Sequence, residues 1–245
     1  MKNQTAIKKL KDDKNYYGDY GRQFLSNSDI ASLLWNPQEF RKSSLEGKAI
    51  VEGRYFHTLM LEPDKLKEFP ICSANMRRGK VWDECIEEFG TTDIILQKEA
   101  DDIQKAADKM RSNLYFFEQI YQEENIFEQP GILELYGEKW KGKADVLTKD
   151  FVIDLKTTSS IKDFKKNSYW YCYDSQSYLY SQIFGKPMKF LVIDKKTHQL
   201  GVFEPGDHMY ESGKQKVIKA VEEYRRFYGS NPTEDIESYF IHEII

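Results

Sequence analysis

Lys143-Ala144-Asp145, followed by Phe151-Val152-Ile153-Asp154-Leu155-Lys156-Thr157-Thr158, is the stretch on which the reading of this chain turns. In an extended strand successive side chains point to opposite faces, so Phe151, Ile153 and Leu155 can enter a core while Val152, Asp154 and Lys156 share the other face. An acid and an ammonium thus stand side by side. Alone, such a pair is usually a solvated ion pair worth little. Here Asp145 lies on the preceding strand, and a turn at Lys149-Asp150 brings it beside Asp154. Two carboxylates and a lysine on neighbouring strands form an oxygen-rich site suited to Mg²⁺ or Mn²⁺, with coordination positions left for water and a phosphate oxygen.

The flanking pattern supports a sheet at this point. From Gly131 the apolar period is two: residues 132–136, a turn near Gly137-Glu138, residues 140–147, and residues 151–156 read as three strands of an antiparallel meander. One helix is expected over 161–184, ended by Gly185 and Pro187, then a fourth strand over 189–194 and a closing helix over 208–228. Before residue 130 the texture is helical. Ser26-Asn27-Ser28-Asp29 offers N-cap chemistry to a helix that Pro37 ends, and further helices are expected over 53–62, 81–89 and 98–122.

Length and composition set outer bounds. The 245 residues, 40% hydrophobic and 14% aromatic, can bury a core, and no repeat or low-complexity linker divides them. A flexible segment over 1–20 and a single domain over 21–245 are expected, the latter mainly helical over 21–128 with a sheet core and C-terminal helix over 129–245. The polar opening and the lack of a long apolar run point to a soluble, cytoplasmic protein without a membrane span. Cys72, Cys85 and Cys172 are few and lack a C-x-x-C pairing, which predicts reduced thiols rather than a disulfide framework or a metal cluster. With 36 Lys+Arg against 40 Asp+Glu, any contact with nucleic acid must rest on local patches.

The order Asp145, Asp154-x-Lys156 resembles the core of the PD-(D/E)XK nucleases, although Ala144 stands where that motif has proline. The likeness extends further. Tyr173-x-x-Gln176-x-x-x-Tyr180, Gly53-x-x-x-His57-x-x-x-Leu61-Glu62-Pro63 and Leu25-Ser26-Asn27-Ser28 are similar to segments of RecE-type exonucleases, the exonuclease VIII family of phages and prophages. The resemblance implies a restriction-endonuclease-like α/β (α+β) core, with a central mixed sheet flanked by helices and an N-terminal helical part. It also implies a Mg²⁺-dependent 5′-to-3′ exonuclease acting on double-stranded DNA ends. One or two ions would be held by His57, Asp145, Asp154 and the Leu155 backbone carbonyl. Lys156 would position or activate the attacking water, Gln176 and Tyr180 would hold phosphate oxygens or orient Lys156, and a glutamate on the first strand would complete the centre. Glu134 is the expected residue there, with Glu128 in competition. Arg77, Arg78 and Lys80 resemble a basic loop that holds the DNA end, and Thr157, Lys165 and Tyr173 are further candidates for DNA contact. Lys162 and Lys166 are weaker ones. A ring-like trimer or tetramer and a single-strand annealing protein are the implied partners. A structure-specific or nicking endonuclease, or a catalytically silent DNA-binding module, would share the same core.

Overall fold

A two-residue turn at Tyr136-Gly137, both at positive φ (54° and 76°), folds the chain back on itself and sets the register of everything around it. In the computed structural model, which describes residues 2–42 and 47–241, the N-terminal half carries most of the helices. In order these elements are α1 (Lys2–Leu10), α2 (Asp13–Tyr17), α3 (Asn27–Trp35), α4 (Lys48–Leu61), β1 (Ile71–Cys72), α5 (Lys80–Phe89), β2 (Ile95–Leu96), α6 (Gln97–Ser112) and α7 (Leu114–Ile120). The second half contains β3 (Ile126–Leu135), β4 (Glu138–Leu147), β5 (Val152–Thr158), α8 (Phe164–Trp170), α9 (Tyr173–Phe184), β6 (Met188–Asp194), β7 (Leu200–Phe203) and α10 (Asp207–Phe227).

Strands β3 to β7 form one mixed sheet in sequence order. The expected meander holds for β3, β4 and β5, whereas β5 and β6 run parallel because α8 and α9 form the crossover between them. Strand β7, not anticipated, pairs antiparallel with β6. Helices cover both faces. On one side Val146, Ile153, Leu155, Leu191 and Ile193 pack with Phe56, Leu59 and Met60 of α4 and Ile103, Ala107 and Met110 of α6. On the other, Trp140, Val152, Phe190 and Val192 pack with Ile30 and Leu33 of α3, Leu179 of α9 and Val217 and Val221 of α10.

Several local expectations needed correction. The helix expected over 161–184 breaks at Cys172, which adopts the left-handed conformation (φ 56°) and separates α8 from α9. The helix over 98–122 breaks at Asn113, whose side chain caps α7 by accepting from the Phe116 N–H at 3.2 Å. Residues 1–20, expected to be flexible, form α1 and α2 from residue 2 to residue 17, with Leu10 and Tyr16 buried beside Phe24. Cys72 and Cys85 are joined in a disulfide, with Cα atoms 6.1 Å apart in a small apolar cluster with Trp82 and Ile94. They are thirteen positions apart in sequence, and it is the packing of α5 on β1 that brings them together. Cys172 is a buried free thiol. Among the described residues no helix is long and apolar enough to cross a membrane.

Helices α9 and α10 approach closely where Gly213 meets the backbone carbonyl of Asp174, itself fully buried and bonded to Ser212 Oγ (2.7 Å) and Lys216 Nζ (3.0 Å). A Cβ at Gly213 would fall 2.0 Å from that carbonyl oxygen. Gly213→Ala should therefore force the helices apart and cost about 1–3 kcal/mol. Urea unfolding would register this as a lowered midpoint; an unchanged midpoint would contradict the close approach.

Candidate active site

The Tyr136-Gly137 turn pairs Leu135 with Glu138 and Glu134 with Lys139, and further along it pairs Phe127 with Val146 and Gln129 with Ala144. Glu128 therefore stands opposite Asp145. Its φ of 48° is left-handed, a conformation that costs a non-glycine residue about 1 kcal/mol or more and is concentrated at functional positions. From α4, whose buried face anchors it to the sheet, half-buried His57 reaches the same point. His57 Nδ1 lies 3.4 Å from Asp145 Oδ2. One ligand atom each from His57, Glu128 and Asp145 can be chosen so that all lie within 4.8 Å of one another.

On β5, Asp154 is held from the opposite layer. Gln176 Nε2 of α9 donates to Asp154 Oδ1 at 2.5 Å, and Lys156 Nζ stands 2.7 Å from Asp154 Oδ2. That oxygen is buried and receives no well-directed hydrogen bond. Asp145 and Asp154 are tied through the backbone, since the Leu155 N–H donates to Asp145 Oδ2 at 2.7 Å. Lys156 also lies 4.6 Å from the ring centre of Tyr173. Tyr180 packs on β4 where Gly142 leaves room, for a Cβ there would meet its ring at 2.8 Å, and its hydroxyl accepts from the Lys143 N–H at 3.3 Å.

These charges reshape one another. Burial pushes Glu128 up to about 7, helped by the Asp145 charge. Burial would push Asp145 up as well, but the His57 imidazolium beside it brings it below the ordinary carboxylate value. Asp154 is raised, chiefly by burial. Burial alone would depress Lys156 and His57, yet Asp154 holds the Lys156 ammonium charged and Asp145 lifts His57 to about 9. The donor set suits a divalent cation, because two carboxylates and an imidazole converge and a buried Asp154 oxygen keeps an unused lone pair.

All these residues line one cleft of about 940 Å³, together with Arg54, Lys141 and Lys143. A family model for a PDDEXK-like domain of unknown function, DUF3799, matches residues 31–231. The chain belongs to that family. No curated protein matches it. Among solved structures, a Eubacterium rectale protein provisionally designated an exonuclease superposes over 87% of this chain and 85% of its own, with a TM-score of 0.63 and 16% identity. SSO0001 covers 88% of this chain and 84% of its own at 12% identity, but with a TM-score of 0.36 it carries no weight. The chain thus has a PDDEXK-like nuclease fold.

The PDDEXK-like site departs from the expected residue set in identifiable ways. Glu134 is exposed and lies six residues from Glu128 along β3, about 20 Å away in an extended strand, lining a separate cavity with Arg22 and Arg41. Arg77 does not face the cleft; both its terminal nitrogens are held by Glu99 (2.6 and 2.7 Å), which keeps the Glu99 carboxyl at about 2 despite its burial. Arg78 and Lys80 are exposed, as is Lys165, while Thr157 is half-buried; none of the four lines the cleft. Asp154 stands beside the His57–Glu128–Asp145 group rather than within it, and Leu155 contributes its N–H. Sequence reasoning missed Lys141, Lys143 and Arg54. Lys141 is buried, its ammonium bonded to the Tyr16 carbonyl, and burial lowers it to about 8.

Because His57 is raised from 6.5 to about 9 in the folded chain, its pairing with Asp145 stabilises the protein fully below pH 6.5 and ceases to as pH rises through 9. In chelator, the melting-temperature gap between the chain and His57→Gln should be widest just below pH 6.5 and close above pH 9. A gap that widens with pH would show that His57 is held neutral.

Proposed function

We propose that this chain is a metal-dependent exonuclease that degrades double-stranded DNA ends in the 5′-to-3′ direction and leaves 3′ single-stranded overhangs. The observation that carries the reading is the convergence of His57, Glu128 and Asp145 beside the Asp154–Lys156 pair in one open cleft. The resemblance to RecE-type exonucleases and the fold shared with the E. rectale protein support it further.

His57, Glu128 and Asp145, with Asp154 adjacent, would hold Mg²⁺, or Mn²⁺ in its place, and the bound cation would supply positive charge to the scissile phosphate and its neighbours. The remaining work falls to the protein. Lys156, kept charged by Asp154, stabilises negative charge near the attacking water. Gln176 fixes Asp154, and through it the direction of Lys156. Water adds to phosphorus as the O3′–P bond breaks, giving a 5′-phosphate. Arg54, exposed on the cleft wall beside Asp93 (2.7 Å), offers positive charge to the backbone, and phosphate contacts of this type carry no sequence information. A ring of three or four copies and an annealing protein for the product strand accord with the RecE-type resemblance.

The test is digestion of a linear duplex labelled separately at each 5′ end, with Mg²⁺ or EDTA, beside a closed circular duplex. Label should leave the linear DNA only with metal, the circle should survive, Asp154→Ala should abolish cutting, and Lys156→Ala should slow it by roughly 10²- to 10³-fold. Cutting of the circle would mean an endonuclease. No cutting by a folded protein would leave only DNA binding.

A further inference from the structure

Two large aromatic residues near the cleft take no part in the site described above. Trp35 ends α3 and Trp170 ends α8, and their rings stack with centroids 5.0 Å apart and planes inclined by 19°. Despite that contact Trp170 is 67% exposed and Trp35 44%, so aromatic surface remains open to water on both. A pair that merely closed a core would not stay so accessible.

The pair is continuous with the cleft along two routes. On α3, Ser28 and Ala31 line the cleft, and Trp35 follows Ala31 by one helical turn, so one helix face leads from the cleft to the pair. On the other side Tyr171, Cys172 and Tyr173 line the cleft; Tyr171 is 58% exposed and its ring centre lies 5.8 Å from that of Tyr173, whose ring in turn meets Lys156. Asn27 Nδ2 of α3 donates to the Cys172 carbonyl at 3.2 Å, and Ser175 Oγ bonds Asn27 Oδ1 at 2.7 Å, which locks the two routes together. Lys166 stands one turn before Trp170 on α8, and Lys162 and Lys165 are exposed nearby in sequence.

We propose that Trp35, Trp170 and Tyr171 form a stacking platform for the unpaired bases of a DNA strand that runs into the cleft. Exposed rings beside lysines are the arrangement that binds single strands without sequence preference, since every base has a stacking face and the ammonium groups follow the phosphates. Where a duplex end frays to bring its terminal phosphate to the buried carboxylates, stacking on these rings offsets the base stacking lost. The choice of DNA as the polymer rests on the nuclease reading; the stacking itself does not.

The chain has four tryptophans, and Trp82 and Trp140 are buried, so quenching of the emission by added bases reports on Trp35 and Trp170. A titration in EDTA separates binding from cutting. An oligothymidylate of about 20 nucleotides should quench the emission, whereas heparin, a polyanion without bases, should not. Trp170→Ala should weaken oligothymidylate binding about tenfold, Tyr171→Ala should weaken it in the same direction, and Trp170→Phe should retain most of the affinity. Equal quenching by heparin, no quenching, or unchanged affinity in folded Trp170→Ala and Tyr171→Ala proteins would overturn the platform; a surface made for a protein partner gives the no-quenching result. Quenching without DNA cleavage in Mg²⁺ would sink the nuclease reading alone, and cleavage without quenching would sink the platform alone.

Discussion

Two carboxylates buried on adjacent strands repel one another, and the placement of the surrounding elements follows from the need to balance them. Asp145 and Asp154 are both nearly inaccessible to solvent. Isolated charges so buried would each cost several kcal/mol. The balance comes from opposite layers of the fold: α4 delivers His57 to Asp145, α9 delivers Gln176 to Asp154, and β5 itself contributes Lys156 and the Leu155 N–H. Neither helix layer alone could serve both acids, because the sheet lies between the two hydrophobic clusters. The site consequently sits where the two layers and the sheet meet, and the apolar packing of α4 and α9 is also what aims the polar groups.

The balance is incomplete, and the shortfall is concentrated at the cleft. Glu128 sits in a left-handed conformation and holds its proton near neutrality, Asp154 is raised, and one of its oxygens lacks a directed donor. Each is a departure from what stability alone would select, and together they lie around the group of side chains able to ligate a cation. Binding of a divalent ion there would displace the Glu128 proton and offset the repulsion among the acids, so stability and function would be opposed in the free site and aligned in the loaded one.

The alternation in residues 151–156 correctly separated Ile153 and Leu155 from Val152, Asp154 and Lys156, because strand parity is local and strict. The placement of Glu128 and Glu134 depended on register. A turn at Gly137-Glu138, as the sequence suggested, would set residue 130 opposite 145, whereas the observed turn at Tyr136-Gly137 pairs 134 with 139 and leaves 128 opposite 145. Other features had no local signal. Nothing in Tyr171-Cys172-Tyr173 marks a left-handed residue; the break is imposed by packing on both sides of it. Arg77 read as a free cation because its partner, Glu99, is twenty-two positions away. The Cys72–Cys85 link likewise depends on the tertiary packing of α5, and the N-terminal helices on contacts with β3 and β4 that a charged, polar opening segment does not announce.

Those N-terminal helices alter what the edges of the chain mean. Asp13 of α2 bonds Lys143 at 2.5 Å and Lys65 at 2.8 Å, the Tyr16 carbonyl receives the Lys141 ammonium, and Asp13, Tyr16 and Tyr17 all border the cleft. A segment expected to be flexible is one wall of the cleft. A shortened chain beginning at residue 21 would leave the buried Lys141 ammonium without its acceptor and Lys143 without Asp13, and would strip one side of the cleft, so trimming this protein to its apparent motif would dismantle the surroundings in which the motif works.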